Sequence, residues 1–270
     1  KSDHLDYHLN LKNYHNAKLN LIKDHLKKNS KILIQDPLLI KNFKKIKSKV
    51  LNQENFIFKN NIKIHHTNMG KFEILSSYGK YKINTFNDFV IKNTISIFFL
   101  YETLINKWPK NFTKQIFPKG RSEIVFEKNG NLIMVDYAHS ADAFNNLLKG
   151  IPNHFKNKIV LYGCGGNRDQ SKRPKIAKTV SKFSTLQIIT DDNPRNESPK
   201  SIRDMLFLNS KNPINIANRE MAIKYGVKFI KKYGGILIIA GKGHENTQII
   251  KNKVIKFSDH LIIKKYAKDI

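Results

Sequence analysis

Residues 118–270 of this 270-residue chain predict an α/β fold built on a doubly wound, largely parallel sheet. Three observations carry that reading. Short apolar runs recur along the segment. Amphipathic stretches with helical spacing lie between or after them. The apolar runs end, one after another, in clusters of glycine, amide and charged residues. Buried strands alternating with helices are the pattern of a parallel sheet covered on both faces. Such sheets bind ligands beyond the carboxyl ends of their strands, which is where the polar clusters fall.

The elements follow in order. Residues 1–117 are the less regular part: a helix over Leu11–His25, a strand at Ile32–Ile34, hairpins across 58–85, and a buried helix from Asp88 to Ile105. Pro109 and Pro118 bracket a linker, so the expected division is 1–117 and 118–270. In the second part the strands are Asn131–Val135, Ile159–Tyr162, Leu186–Thr190, Ile214–Ala217 and Ile236–Ala240, each an apolar run short enough for a strand. Phe144, Leu147, Leu148 and Ile151 share one helical face, as do Ile176, Val180 and Phe183, and Ile223, Val227 and Ile230. Ser198-Pro199 supplies a cap followed by proline at the first helical position, and Ser258-Asp259 opens a last helix.

Composition narrows the function classes. Lys+Arg is 49 against Asp+Glu 21, a net charge of +28. The excess is nearly all lysine, scattered among Asn and Ile, which argues for a coding bias and against a nucleic-acid-binding patch. The single cysteine, Cys164, excludes a disulfide framework or a cysteine zinc site. No apolar run approaches the roughly 20 residues of a membrane span. The chain begins Lys1-Ser2-Asp3-His4 without an initiator methionine, and reads as starting within a longer protein.

The strand-end clusters hold the candidate chemistry. Asp192-Asn193-Pro194-Arg195 follows a buried strand; proline fixes the backbone and the arginine offers a planar fork for a carboxylate. Gly163-Cys164-Gly165-Gly166-Asn167-Arg168-Asp169 is either a plain turn or an amide cradle for an anion, to which Arg168, Lys172 and Arg173 add cationic ligands. Gly241-Lys242-Gly243-His244-Glu245 lacks the Ser/Thr of a phosphate loop, so Glu245 is better read as a partner for an ammonium. Asp136-Tyr137-Ala138-His139 and Asn218-Arg219 complete the edge. Arg121, after the linker, is a surface residue or a phosphate ligand. Asp3-His4-Leu5-Asp6-Tyr7-His8 is either a run of polar residues facing solvent or a metal site. Lys18 shares a helical face with Leu11, Tyr14, Leu21 and Ile22. It either snorkels or carries a modification, such as a carbamate able to bind Mg²⁺.

These motifs, together with Phe86-Asn87 and Gly120-Arg121-Ser122-Glu123, occur in the order seen in Mur ligases, and the resemblance spans nearly the whole chain. It implies the C-terminal part of a P-loop-type central ATPase domain over 1–117, followed by a Rossmann-like acceptor domain over 118–270. The family's phosphate loop and UDP-binding domain would then precede Lys1, and the chain alone would be inactive. The Asn-Pro-Arg form of the loop implies the branch that adds meso-diaminopimelate to UDP-MurNAc-L-Ala-D-Glu through an acyl phosphate, using ATP and Mg²⁺. By the same resemblance His4 and carbamylated Lys18 hold Mg²⁺. Asn87 lies near adenine, Arg121 and Asp136 serve ATP, and His139 stands beside the reacting centre. Arg168, Asp192, Asn193, Pro194, Arg195, Gly241 and Glu245 hold the amino acid. Two departures stand out: Ser140-Ala141-Asp142 replaces Thr-Pro-Asp, and the family's Gly-x-Phe-Asn-x-x-Asn keeps only Phe86-Asn87. A cytoplasmic monomer follows from the resemblance. The alternatives are a related amide ligase such as folylpolyglutamate synthase, or a noncatalytic amino-acid-binding fragment.

Overall fold

The computed structural model describes residues 10–25, 31–33, 49–51, 53–67, 71–107 and 118–269. The Asp3–His8 cluster, His4 included, lies outside them; so do the side chain of Lys18 and the segment 108–117. The chain divides into two compact units, residues 1–84 with 88–115, and residues 85–87 with 116–270.

In the first unit, α1 (Leu11–His25) opens with the Asn10 side chain accepting the Asn13 amide at 2.9 Å. Strands β1 (Lys31–Leu33) and β2 (Lys49–Leu51) pair in parallel. After α2 (Gln53–Lys59), strands β3 (Lys63–His66), β4 (Phe72–Ser76) and β5 (Gly79–Ile83) form an antiparallel meander, the hairpins expected across 58–85. Helix α3 (Asp88–Ile105) has the expected bounds but is buried on one face only. Val90, Ile91, Ile95 and Phe98 pack inward, whereas Ile97, Leu104 and Ile105 are exposed. No helix among the described residues is long and apolar enough to cross a membrane.

The second unit is the expected doubly wound sheet, in the order β10-β9-β8-β11-β7-β6. The strands are β6 (Glu123–Lys128), β7 (Asn131–Asp136), β8 (Lys158–Tyr162), β9 (Leu186–Ile189), β10 (Pro213–Asn215) and β11 (Ile236–Ala240). All neighbours are parallel except β6, which pairs antiparallel with β7. Helices α4 (Ala141–Lys149), α5 (Lys172–Phe183), α6 (Pro199–Phe207), α7 (Arg219–Tyr233) and α8 (Asp259–Tyr266) cover the two faces. Side chains alternate across each strand. Leu132, Met134, Ile236 and Ile238 pack with Phe144, Ile176 and Leu206. Ile133, Val135, Leu237 and Ile239 pack with Ile223, Val227, Ile230 and Ile263 on the other side. Strands buried on both faces must be apolar throughout, which is why these runs do not alternate with polar residues.

Several elements differ from expectation. The fourth strand is bounded at 213–215, not Ile214–Ala217, although bonds to the β9 segment continue beyond it, from the Ile216 amide to Ile189 O at 2.9 Å and from the Asp191 amide to Ala217 O at 3.1 Å. Ile151 is buried beyond the end of α4. The edge strand β6 and the hairpin β12 (Thr247–Ile250)–β13 (Lys253–Lys256) escaped sequence reading because β6 and β12 are no more than half-buried, β13 is exposed, and none carries a continuous apolar run.

Candidate functional site

The carboxyl ends of β7, β8, β9 and β11 release four loops on one edge of the sheet. The loops after β8 and β9 touch backbone to backbone. The Gly166 amide donates to the Asn193 carbonyl at 2.9 Å. A Cβ on Gly166 would stand 1.9 Å from the Pro194 oxygen, so only glycine permits this approach. The Arg195 backbone is left-handed, with φ 51. It is tied to β12 through its amide to Ile249 O at 3.1 Å and its carbonyl from the Lys251 amide at 2.7 Å. The Gln248 side chain donates to Asp192 O at 2.7 Å. The β12–β13 hairpin therefore splints the 192–195 loop.

At the centre lies Lys242, fully buried. Its Nζ donates to Asn193 Oδ1 at 3.0 Å, Glu245 Oε2 at 3.1 Å and Asp192 Oδ1 at 3.4 Å. Asn193 Nδ2 in turn donates to Glu245 Oε2 at 2.8 Å. Burial pushes the Glu245 carboxyl up, but the Asn193 amide and the Lys242 charge outweigh it and leave it below the ordinary glutamate range. Among the described residues Glu245 Oε1 meets only the Tyr137 hydroxyl, at 3.4 Å. Gly241, at φ 107, carries the chain past Asp192 in a conformation closed to other residues.

Arg195 is half-buried, and its Nη1 donates to Gly166 O at 2.9 Å and Asn193 O at 3.4 Å. No carboxylate pairs with it among the described residues. Arg168 is exposed on the neighbouring loop. Beneath both loops, Arg173 grips Glu197 with bonds of 2.5 and 2.7 Å, holding that carboxyl below its usual range, while Glu197 also accepts the Asn167 amide. Burial, with the Asp192 charge second, pushes the Cys164 thiol up to about 12, so it stays protonated.

A second group gathers around Tyr137. The Arg121 guanidinium lies 4.4 Å over its ring, and the His139 and His244 rings stand 5.1 and 5.5 Å away. His139 Nδ1 is 2.9 Å from Tyr137 O. Arg121 and His139 are exposed; Asp136 is not. Its two oxygens accept the Ser122 and Ala138 amides at 2.6 and 2.7 Å, and burial still raises its carboxyl above the usual range. Asn87, also buried, donates to the Ser122 hydroxyl at 2.9 Å while its Oδ1 has no partner.

Asp192, Asn193, Gly241 and Glu245 are thus brought together, with Pro194 buried behind them and Arg195 beside them. Asn218-Arg219 does not join as a ligand loop. Asn218 caps α7 through the Met221 amide, and Arg219 is sealed against Asp259. Lys242 and Tyr137 were missed as site residues. A lysine between two glycines directly after a fully apolar strand was the available signal for Lys242.

Residues 120–243 match the family described as Mur ligase, glutamate ligase domain. A UDP-N-acetylmuramoyl-L-alanyl-D-glutamate–2,6-diaminopimelate ligase of Rickettsia bellii is 38% identical, over 95% of this chain and 57% of its own length. One from Clostridium tetani is 33% identical, over 99% and 57%. The chain thus spans a little over half the length of these relatives. A solved structure of a ligase of the same description superimposes with TM-score 0.57 at 27% identity, covering 100% of this chain and 58% of that one. The MurF ligase of Thermotoga maritima gives 0.67 at 16% identity, over 99% of this chain and 60% of that one, a likeness of fold.

Proposed function

We propose that the chain is a member of the Mur ligase family and the acceptor-binding part of an ATP-dependent amide ligase that adds meso-diaminopimelate to UDP-MurNAc-L-Ala-D-Glu. In this reading residues 1–117 are the end of the central ATP-binding domain and 118–270 the amino-acid domain. The reaction, a step in building the cell-wall peptide, belongs in the cytoplasm, and the protein works as a monomer. ATP phosphorylates the free carboxylate of the D-Glu residue. The amine of meso-diaminopimelate attacks the acyl phosphate, losing a proton as inorganic phosphate departs.

The observation that carries the reading is the pairing of one anionic and one cationic subsite on adjoining loops. Glu245 and Asp192 share a single buried ammonium, Lys242, leaving a net negative charge for an incoming ammonium group. Arg195, held among the described residues by backbone carbonyls alone, offers the rest of its guanidinium to a carboxylate. Diaminopimelate carries both groups at its far end; lysine carries only the ammonium. Gly241 admits the ligand close to the backbone, Asn193 and Pro194 shape the loop, and Arg168 adds a cation at its rim. Arg121 and Asp136 serve the nucleotide in this reading, with Asn87 near adenine, and His139 stands at the reacting end.

The family also implies Mg²⁺, which would offset phosphate charge, with His4 and a Lys18 carbamate as ligands. Among the described residues no group of three or more His, Cys, Asp or Glu side chains converges.

Calorimetric titration of the chain with meso-diaminopimelate, L-lysine and L-glutamate tests the reading. Diaminopimelate should bind at least about tenfold more tightly than either, the worth of one charge-assisted contact. Tightest binding of L-glutamate would favour a folylpolyglutamate-type ligase instead. Equal binding of all three would remove the case for this acceptor.

A further inference from the structure

We infer that Lys242 is a positioning residue for acceptor recognition: a buried ammonium that touches no ligand, fixes which way the Asn193 amide faces, and turns one oxygen of Glu245 inward so that the other is left for the acceptor. The inference rests on the diaminopimelate reading of the site, but its geometry does not.

A buried lysine is costly unless each of its donors is met. Lys242 has three acceptors within 3.4 Å, two on the loop after β9 and one on its own turn. Asn193 Oδ1 accepts from both Lys242 Nζ and the Ile249 amide, each at 3.0 Å. Two donors on one atom determine the amide's orientation, so Nδ2 must face Glu245. Glu245 Oε2 is then doubly occupied, by Lys242 and Asn193. Its Oε1 retains one long contact, with Tyr137. Asp192 is engaged by Lys242 through Oδ1 alone. Without the ammonium, Asn193 would lose one of the two donors that orient it, and two carboxylates would face each other unshielded.

Charge agrees with geometry. The groups facing Glu245 are Lys242 on its own turn, Asp192 and Asn193 from the loop after β9, Tyr137 after β7, and Arg219 at the start of α7. Arg219 is already matched by Asp259 at 2.8 Å. Lys242 therefore answers two carboxylates with one charge. The remaining negative charge is what an ammonium ligand completes.

The test compares wild type with Lys242→Met, which keeps the apolar stem and removes the charge, and Lys242→Arg, which keeps the charge. NMR of the Glu245 carboxyl carbon through an acid titration needs no ligand. In Lys242→Met its midpoint should rise by about one pH unit or more, since the counter-ion that favours the carboxylate is gone. Diaminopimelate affinity should fall at least about tenfold in Lys242→Met, with its acid limb moved to higher pH alongside the Glu245 midpoint. A loss from simple loop disorder would be independent of pH. Lys242→Arg should restore the low midpoint. Should the methionine variant fail to fold, the wild type still decides: its Lys242 ammonium protons should be protected from exchange in 15N spectra. An unshifted Glu245 midpoint, or a freely exchanging ammonium, would overturn the inference. If wild type shows no preference for diaminopimelate while the Glu245 midpoint shifts as expected, the acceptor reading fails and the role of Lys242 in ordering the loop stands.

Discussion

Two fully buried cations on the same unit, Arg219 and Lys242, are handled in opposite ways. Arg219 meets one carboxylate. Its Nε and Nη2 bind both oxygens of Asp259 at 2.8 Å, and Nη2 also reaches Ala240 O at 3.0 Å. Burial disfavours its charge, yet the Asp259 pairing outweighs that and holds its pKa above the ordinary value. Arg219 and Asp259 are the first residues of α7 and α8, and Ala240 ends β11, so the pair binds two helix starts to the strand that leads into Gly241. Lys242 lies two residues beyond Ala240 and is divided among Asp192, Asn193 and Glu245 on the ligand edge. The Arg219–Asp259 pair is matched charge for charge and serves architecture, although Arg219 Nη1 has no partner among the described residues; a single charge divided between two carboxylates leaves something for a ligand to complete. Burial alone does not separate the two. The count of partners does.

Breaking the closed pair should have the largest effect on stability. Arg219→Met strands Asp259 in the core, and losing one member of a buried pair costs about 3–5 kcal/mol. That lowers the melting temperature by about 6–20 °C for a unit of this size. The double variant Arg219→Met/Asp259→Leu should recover much of the loss, because two apolar groups leave no buried charge uncompensated. Calorimetric melting of both variants checks it; equal loss in single and double variants would show that Arg219 acts through packing.

A smaller effect sharpens the contrast through pH. The Arg173 hydrogen bonds depress the Glu197 carboxyl, so its contribution is present above the unfolded glutamate pKa. It is lost as pH falls through the lower folded value. Denaturant midpoints measured from pH 6 to pH 3 should fall less steeply in Glu197→Gln than in wild type, at the expense of lower stability near neutrality. Parallel profiles would contradict this. The smallest effect belongs to the splint. Gln248→Ala removes one bond to Asp192 O and should lower stability by about 1 kcal/mol, with hydrogen exchange rising in residues 192–195.

Much of this was legible in the sequence because buried strands must be apolar. The runs at Asn131–Val135, Ile159–Tyr162, Leu186–Thr190 and Ile236–Ala240 gave the sheet, and their polar ends gave the site edge. The edge strand β6 and the hairpin β12–β13 were not legible: β6 and β12 are mostly half-buried, β13 is exposed, and none carries a continuous apolar run. Arg219 and Arg173 were not legible either. Their partners, Asp259 and Glu197, lie 40 and 24 residues away, and no local spacing reports such a pairing. Lys242 was visible only as part of a failed phosphate-loop pattern; its role depends on a carboxylate 50 residues upstream.

The central claim is that the loop after β9 reads an amino acid carrying both an ammonium and a carboxylate at its far end. The most direct measurement is the ratio of meso-diaminopimelate to L-lysine affinity in wild type and in Arg195→Ala. The expected wild-type ratio is at least about ten. Arg195→Ala should weaken diaminopimelate by about tenfold to more than a hundredfold, the worth of a partly desolvated guanidinium–carboxylate contact, and leave lysine nearly unchanged. The ratio then collapses toward one. Equal losses for both amino acids would contradict the claim, and would leave Arg195 a support for the loop alone.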